Sequence, residues 1–273
     1  MSTTAHATEA TYETIKLDTT DQICTITLNR PETYNAVNDA LTKELADALK
    51  QVSKDDNVRV VVITGEGKAF CSGQDLGDLK EKYVPGYVPH LGDDLRKRYH
   101  PIIKRLRTMD KPVIASVNGV AAGAGCSLAL ACDMRIASQE ASFIEVFINV
   151  GLIPDSGSTF FLPRLVGLGK AFELCSTGQK VAADEAKDIG LVERVVAPEN
   201  LPDETQRLAQ KLASLPTRGI ALTKRLLNQS FDNDLEEQLE AEAFAQETAG
   251  RTEDHVEGVR AFIEKRKPEF KGK

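Results

Sequence analysis

Hydrophobic positions along the chain change their period in a repeating order. "TYETIKL" and "QICTITL" alternate or run apolar with β-branched residues, and "VRVVVITG" is a continuous apolar run closed by glycine, so all three predict strands. Between the second and third, Leu41, Leu45, Leu49 and Val52 recur every three to four residues. That spacing predicts an amphipathic helix over "NDALTKELADALKQVSKDD" with Asn38 as its cap. The order returns in "PVIASV", a glycine-rich turn, the helical "GCSLALACD", then "MRIAS" and "SFIEVF". Strands and helices alternating in this way predict an α/β core.

After about Pro198 only helical periods follow, in "LPDETQRLAQKLASL", "TRGIALTKRLLNQSF", "DLEEQLEAEAFAQETAG" and "TEDHVEGVRAFIEKRKPEF". We therefore expect a core over residues 1–200 and a helical region over residues 201–273. In the latter, Phe244, Val259, Phe262 and Ile263 need cover from the core or from a second subunit. The stretch from Gly77 to Leu95 is rich in Gly, Pro and Tyr without periodicity and predicts a mobile loop of the lid type.

Composition narrows the function. A net charge of −7, with no basic cluster interleaved with aromatics, argues against nucleic acid or an anionic membrane as partner, and against a nucleic-acid-binding, non-catalytic role. "MSTTAHATEA" lacks a basic segment followed by an apolar run, and no stretch reaches the roughly 18 apolar residues of a membrane span, so a soluble, cytoplasmic protein is expected. Five cysteines without a CxxC pair predict reduced thiols, with neither disulfides nor metal, and His6, His90 and His255 show no ligand spacing.

Three short segments carry candidate chemistry. In "GKAFCSGQDL" small residues around Gly73 let the Gln74 amide point free of any ladder. In "NGVAAGAGC" the amides of Gly123, Ala124 and Gly125 open a helix, where N–H groups lack partners and the dipole favours negative charge. One free amide from each turn, brought together, makes an oxyanion hole. In "GLIPDSGSTFFLPRLVG", Asp155 precedes a helix start and is open to two readings, an N-cap or a base. Packing among Leu152, Ile153, Phe160 and Phe161 would desolvate its carboxyl and raise its pKa.

"NRPETYNAVN", "VVVITGEGKAFCSGQDL", "KPVIASVNGVAAGAGCSLALACDMRIAS", "GLIPDSGSTFFLPRLVG" and "AADEAKDIGLVERVV" resemble, in order, the signature segments of the enoyl-CoA hydratase/isomerase family, the crotonases. "YHPIIKRL" extends the resemblance toward the epoxyphenylacetyl-CoA isomerase and Δ3,Δ2-enoyl-CoA isomerase branch. The resemblance implies a spiral core of repeated ββα units, a C-terminal helical region that builds homotrimers or homohexamers, and an acyl-CoA substrate. Coenzyme A then belongs to the substrate and no separate cofactor is needed. It implies oxyanion donors at the amides of Gln74 and Ala124. Coenzyme A contacts follow at Ala36 and along Phe70, Ser72, Gln74, Asp75 and Leu76, with the helical Lys265 of a neighbouring chain reaching the CoA phosphates.

Within the family the acid and base residues differ. The two positions at which hydratases carry glutamates hold Ser127 and Phe147, which cannot relay a proton to water, so hydration is disfavoured. Asp155 falls where isomerases place their acid. His100 aligns with a histidine of the aroyl-CoA dehalogenase branch, but Phe147 replaces that branch's tryptophan, and "HP" also fits a helix start. Cys71 and Cys126 read as packing residues, and Arg164 as a surface or interface ion. Phe147, Phe160, Phe161, Tyr83, Tyr87 and Tyr99 are candidates for an aromatic wall around the acyl group.

Overall fold

The computed structural model describes residues 12–75, 77 and 84–273, so Leu76 and Tyr83 lie outside the described residues. Ten strands form two sheets. β1 (Ile15–Thr20), β2 (Ile23–Leu28), β3 (Val60–Gly65), β5 (Val113–Val117), β7 (Met134–Ser138) and β10 (Arg194–Val196) lie side by side in that order. β4 (Ala69–Cys71), β6 (Val120–Ala122), β8 (Ser142–Ile144) and β9 (Lys180–Ala182) make the smaller sheet. The chain repeats one unit: a strand of the large sheet, a short strand of the small sheet, then a helix. β3–β4, β5–β6 and β7–β8 each follow this path, and successive units pair in parallel in both sheets. The result is the expected α/β spiral of ββα units.

The apolar runs explain why the large sheet is covered twice. In β3, Val61 and Ile63 join the main core with Leu41, Leu45 and Leu49 of the helix Asp39–Lys54. Val60 and Val62 face the other way, with Ile23, Ile114 and Ile136, against Leu201, Leu208, Ala209 and Ala213. A parallel strand buried on both faces has no polar alternation to show. The helix Leu201–Ala213, just past the expected boundary at 200, thus covers the second face of the sheet. Asn38 caps the helix Asp39–Lys54 as predicted, its Oδ1 accepting the Leu41 amide at 2.9 Å.

Several expectations change. β4, β6, β9 and β10 were not visible in the hydrophobic period, because a three-residue strand completes no alternation. "SFIEVF" is a strand only to Ile144, then turns into the 3-10 helix Val146–Val150. The predicted loop from Gly77 to Leu95 turns helical at Leu91: Leu91–Asp94 leads through a π-helical stretch, Leu95–Tyr99, into the helix His100–Thr108. His100 therefore lies inside a continuous helical run and does not start one. The wide turn just before Pro101 gives room to a residue that lacks an N–H and crowds the preceding turn.

Beyond the sheet run the helices Thr217–Gln229, Leu235–Gly250 and Glu253–Glu264. The core does not cover their apolar positions: Phe244, Val259, Ile263 and Phe262, the last 85% exposed, face outward in the single chain. The C-terminal tail turns back, with the buried Asp254 carboxylate accepting the amides of Lys271 and Gly272 at 2.6 and 2.7 Å. Arg59 donates to the Phe270 carbonyl at 2.9 Å and to Thr217 Oγ1 at 2.7 Å.

The end of β4 and the helix Ala124–Ala131 approach backbone to backbone. A Cβ at Gly125 would stand 2.1 Å from the Cys71 carbonyl oxygen, which no side-chain shift can relieve. Gly125→Ala is expected to destabilise the fold by about 2 kcal/mol or more. Gly169→Ala, in a helix with open space around it, is expected to change stability by less than about 1 kcal/mol and in the favourable direction. Urea denaturation of the two variants checks both, and equal midpoints would contradict this account of the contact.

Candidate active site

Two backbone turns meet at the edge of the small sheet. After β4 the chain passes Gly73, whose φ of +95° only glycine adopts without strain. Val37 donates to the Gly73 carbonyl at 2.7 Å and Asp75 donates to the Val37 carbonyl at 3.0 Å. This isolated parallel bridge between Val37 and Gln74 uses the neighbours of Gln74, so the Gln74 amide points off the ladder. After β6, Gly123 turns the chain at φ +50° and Ala124 opens the helix Ala124–Ala131, where its amide has no intrahelical partner. A Cβ on Gly73 would lie 3.6 Å from the Ala124 nitrogen and 2.8 Å from the Ala122 carbonyl oxygen. The structure thus brings the predicted pair of turns into contact.

A buried carboxamide ties the loop before the helix Asp39–Lys54 to the start of β4. Asn35, fully buried, donates to the carbonyls of Glu66 and Ala69 at 3.0 and 2.8 Å and accepts the Arg30 amide at 2.9 Å. Arg30 pairs with Asp75 at 2.9 Å and donates to the Ala36 carbonyl. Ser72 is tied to the same loop, its amide to Tyr34 at 3.0 Å and its Oγ to Thr33 at 3.2 Å. Ala36, Ser72, Gln74 and Asp75 are therefore gathered along one seam. Phe70 is fully buried, so only its backbone borders that seam. Lys265 departs from expectation: it is the exposed, left-handed residue (φ +56°) that ends the helix Glu253–Glu264, not a helical residue.

Asp155 does not cap the helix that follows. Ser158–Val166 is capped by Gly157, and Asp155 contributes only its carbonyl, which accepts the Ser158 amide at 3.0 Å. The carboxylate stays free of the helix and accepts Ser156 Oγ at 2.8 Å. Burial raises its pKa, while Ser156 and the charge of His100 pull the other way. Of the four expected apolar neighbours only Phe161 is buried. Ile153 is exposed, Leu152 and Phe160 are largely so, and Phe160 stacks under Arg164 at 3.5 Å. Tyr99 and His100 come near instead. Tyr99 is buried, donates to the Gln74 side chain, and feels the charge of Asp155, with burial first holding its phenol above the usual range. Phe147 borders the other turn, its ring 3.8 Å from where a Gly123 Cβ would stand.

Behind Asp155 lies a buried polar cluster that the sequence reading passed over. Glu145 is 3% exposed, and its Oε1 is 2.9 Å from Ser158 Oγ. Ser158 Oγ is 2.8 Å from Ser127 Oγ, which in turn donates to the carbonyls of Asp155 at 3.0 Å and Gly123 at 3.2 Å. Burial, with a smaller push from the charge of Asp155, carries the Glu145 carboxyl up to about 7 against opposing bonds from Ser158 and the Cys126 thiol. The available signal was a lone carboxylate among Phe143, Ile144, Val146 and Phe147. Cys71 and Cys126 are buried packing residues; burial pushes the Cys71 thiol up to about 12 and Cys126 well above its ordinary value. All five cysteines are free. Among the described residues, no group of three or more His, Cys, Asp or Glu is placed to hold a metal, and no helix is long and apolar enough to cross a membrane.

The chain matches the enoyl-CoA hydratase/isomerase family over residues 18–273. It is 45% identical over 251 residues to the 1,2-epoxyphenylacetyl-CoA isomerase of Escherichia coli K12, covering 92% of this chain and 95% of that protein. It is 40% identical over 262 residues to a probable enoyl-CoA hydratase of Rhodobacter capsulatus, covering 96% and 99%. Its fold is similar to the crystal structure of an enoyl-CoA hydratase from Bacillus anthracis, with a TM-score of 0.90, 37% identity, and coverage of 96% of this chain and 100% of the other.

A carboxyl raised from 4.5 to about 7 in the folded state binds its proton more tightly folded than unfolded, so it costs stability as pH rises between those values. Removing the charge by Glu145→Gln is therefore expected to gain on wild type by about 3 kcal/mol between pH ~4.5 and ~7, and to gain nothing further above. Urea midpoints across this range measure it, and a constant difference between the two proteins would contradict the burial of an ionising Glu145.

Proposed function

The chain belongs to the enoyl-CoA hydratase/isomerase family, and from that premise we propose that it is an acyl-CoA isomerase acting on an epoxyphenylacetyl-CoA or 3-enoyl-CoA type of thioester. The observation that carries the proposal is a free, partly buried carboxylate at Asp155 beside two converging turns with unpartnered amides, while Ser127 and Phe147 occupy the hydratase glutamate positions. The 45% identity to an epoxyphenylacetyl-CoA isomerase supports the same reading.

In this mechanism the thioester carbonyl accepts the amides of Gln74 and Ala124. Asp155 removes the proton on the adjacent carbon, and the enolate oxygen gains from each donor roughly 3 kcal/mol relative to the ground state. Partial burial raises the Asp155 pKa and strengthens it as a base, while the Ser156 hydroxyl and the charge of His100 oppose that rise. The conjugate acid then returns the proton to C4 of a 3-enoyl chain, moving the double bond to C2. With an aryl epoxide, the ring C–C bond shared with the oxirane opens to the seven-membered oxepin with both C–O bonds kept, and the same conjugate acid returns to a ring carbon the proton taken next to the carbonyl. No cofactor is required, because coenzyme A is part of the substrate. Its contacts follow the seam of Ala36, the Phe70 backbone, Ser72, Gln74 and Asp75, with Lys265 of a neighbouring subunit at the phosphates.

A second reading, hydration, is favoured by the names of relatives such as the Rhodobacter capsulatus protein. It needs two carboxyls that reach water over the thioester. Besides Asp155 the neighbouring carboxyl is Glu145, which is buried behind Ser158. The nearness of His100 to Asp155 also suits a dehalogenase-like hydrolysis, in which Asp155 attacks an aromatic carbon and His100 activates water. Phe147 stands against it, in place of that branch's tryptophan.

Asp155→Asn is expected to lower isomerase turnover about 10²-fold or more while CoA-thioester affinity stays within about threefold. Thioesters of 3-hexenoic and epoxyphenylacetic acid, with products read by mass and ultraviolet spectrum, test this. Crotonyl-CoA should keep its enoyl absorbance with the wild-type protein. Hydration at tens of turnovers per second, or an unimpaired Asn variant, would overturn the reading.

The outward-facing Phe244, Val259, Phe262 and Ile263 support a homotrimer or homohexamer built through the C-terminal helices. Sedimentation should give a mass three or six times the 29.8 kDa of the chain, and Phe262→Asp should reduce it. A monodisperse monomer of the wild-type protein would refute the assembly.

A further inference from the structure

One line of hydrogen-bonding groups runs through the core behind the site: Glu145 Oε1 to Ser158 Oγ at 2.9 Å, Ser158 Oγ to Ser127 Oγ at 2.8 Å, then Ser127 Oγ to the carbonyls of Asp155 and Gly123. Its far end touches both halves of the site, the residue that bears the carboxylate and the turn whose next amide belongs to Ala124. Counting hydrogens gives the line a direction. Two serines bring two hydrogens to three links. With Glu145 ionised one link stays empty: the carboxylate faces the Ser158 oxygen at 2.9 Å without a hydrogen, or two hydroxyl oxygens face each other at 2.8 Å with no proton between them, or the carbonyls lose their donor. With a proton on Glu145 every link is filled and all point the same way.

We propose that Glu145 is a positioning residue, kept as a neutral acid that donates to Ser158, so that Ser158 donates to Ser127 and Ser127 clamps the Asp155 turn to the Gly123 turn. The catalytic meaning of this clamp rests on the isomerase reading above; the protonation of Glu145 does not. The groups that face Glu145 are Asp155 from the following turn, the Cys126 thiol from Ala124–Ala131 and the Cys175 thiol from Leu168–Thr177, none of which supplies positive charge. Both thiols are pushed up by burial, Cys175 to about 11, and stay neutral at neutral pH. Among the described residues Oε2 of Glu145 is buried without a hydrogen-bond partner by distance and angle, and the only further donor that bears on the carboxyl, the Cys126 thiol, is a weak one, so the site is poor for a charge. Burial and Asp155 carry the carboxyl up to about 7, in agreement with the count of hydrogens.

Two variants test the clamp. Glu145→Gln can still donate to Ser158, whereas Glu145→Leu cannot. Wild-type kcat on the isomerised thioester should decline above pH ~7 as the clamp loses its proton, and Glu145→Gln should hold its kcat through that range. Glu145→Leu should lose about tenfold in kcat at every pH with KM changed less than about threefold, since misplaced groups cost rate more than binding. An alkaline decline in Glu145→Gln equal to wild type, or a wild-type kcat in Glu145→Leu, would overturn the proposal. The infrared carbonyl stretch of a protonated carboxylic acid gives a reading that needs no substrate. It should be present in wild type at pH 6, fade as pH passes ~7, and be missing from Glu145→Gln. Absence of that band at pH 6 refutes the neutral acid whatever the enzyme acts on. A protein that shows the band yet isomerises no thioester refutes the isomerase reading and still supports the neutral acid.

Discussion

The site depends on two backbones approaching closer than side chains allow. Cys71 to Gly73 and Ala122 to Gly125 end neighbouring strands of the small sheet, and they touch through glycines whose missing Cβ atoms would otherwise meet carbonyl oxygens at 2.1 and 2.8 Å. Parallel pairing of β4 with β6 delivers both turns to one edge. The left-handed Gly73 and Gly123 then turn the following amides, those of Gln74 and Ala124, away from the ladder. Carboxamide bonds from Asn35 and the Tyr99 hydroxyl on Gln74 fix what the glycines leave free to move. A donor pair of this kind costs no reorganisation when charge develops in front of it.

The second determinant is the contrast between two carboxyls. Asp155 and Glu145 are close enough for the charge of one to raise the pKa of the other, yet their surroundings separate them. Asp155 has a hydroxyl donor and a nearby histidine charge, which favour its anion. Glu145 has serines, thiols and little else, and is carried up to about 7. Environments that push two acids apart are what the proposed division of labour, Asp155 as base and Glu145 as neutral hydrogen-bond donor, requires.

Much of this was legible in the chain. The long apolar runs, the capped helix behind Asn38 and the helical C-terminal quarter announced themselves by period, because each spans enough residues to show one. The glycine turns and Asp155 were legible as candidates, and the order of the signature segments joined them. What escaped were features made by contact. β4 and β6 are three residues long and carry no alternation. The neighbours of Asp155 were read from adjacent sequence as Leu152, Ile153, Phe160 and Phe161, but of these only Phe161 is buried, and the site draws Tyr99 and His100 from a helix some fifty residues earlier. Glu145, a lone charge between Ile144 and Val146, was passed over because its partners Ser158 and Ser127 come from two other elements.

The central claim is that Asp155 exchanges a proton with the carbon beside a thioester carbonyl held between the Gln74 and Ala124 amides. Deuterium incorporation into phenylacetyl-CoA, which can form the enolate but has no double bond or epoxide to rearrange, isolates that step in heavy water. The account predicts that wild type labels the carbon next to the carbonyl, and that Asp155→Asn binds the thioester but labels it about 10²-fold more slowly or not at all. Labelling at equal rates by the two proteins, or none by the wild type, would contradict it.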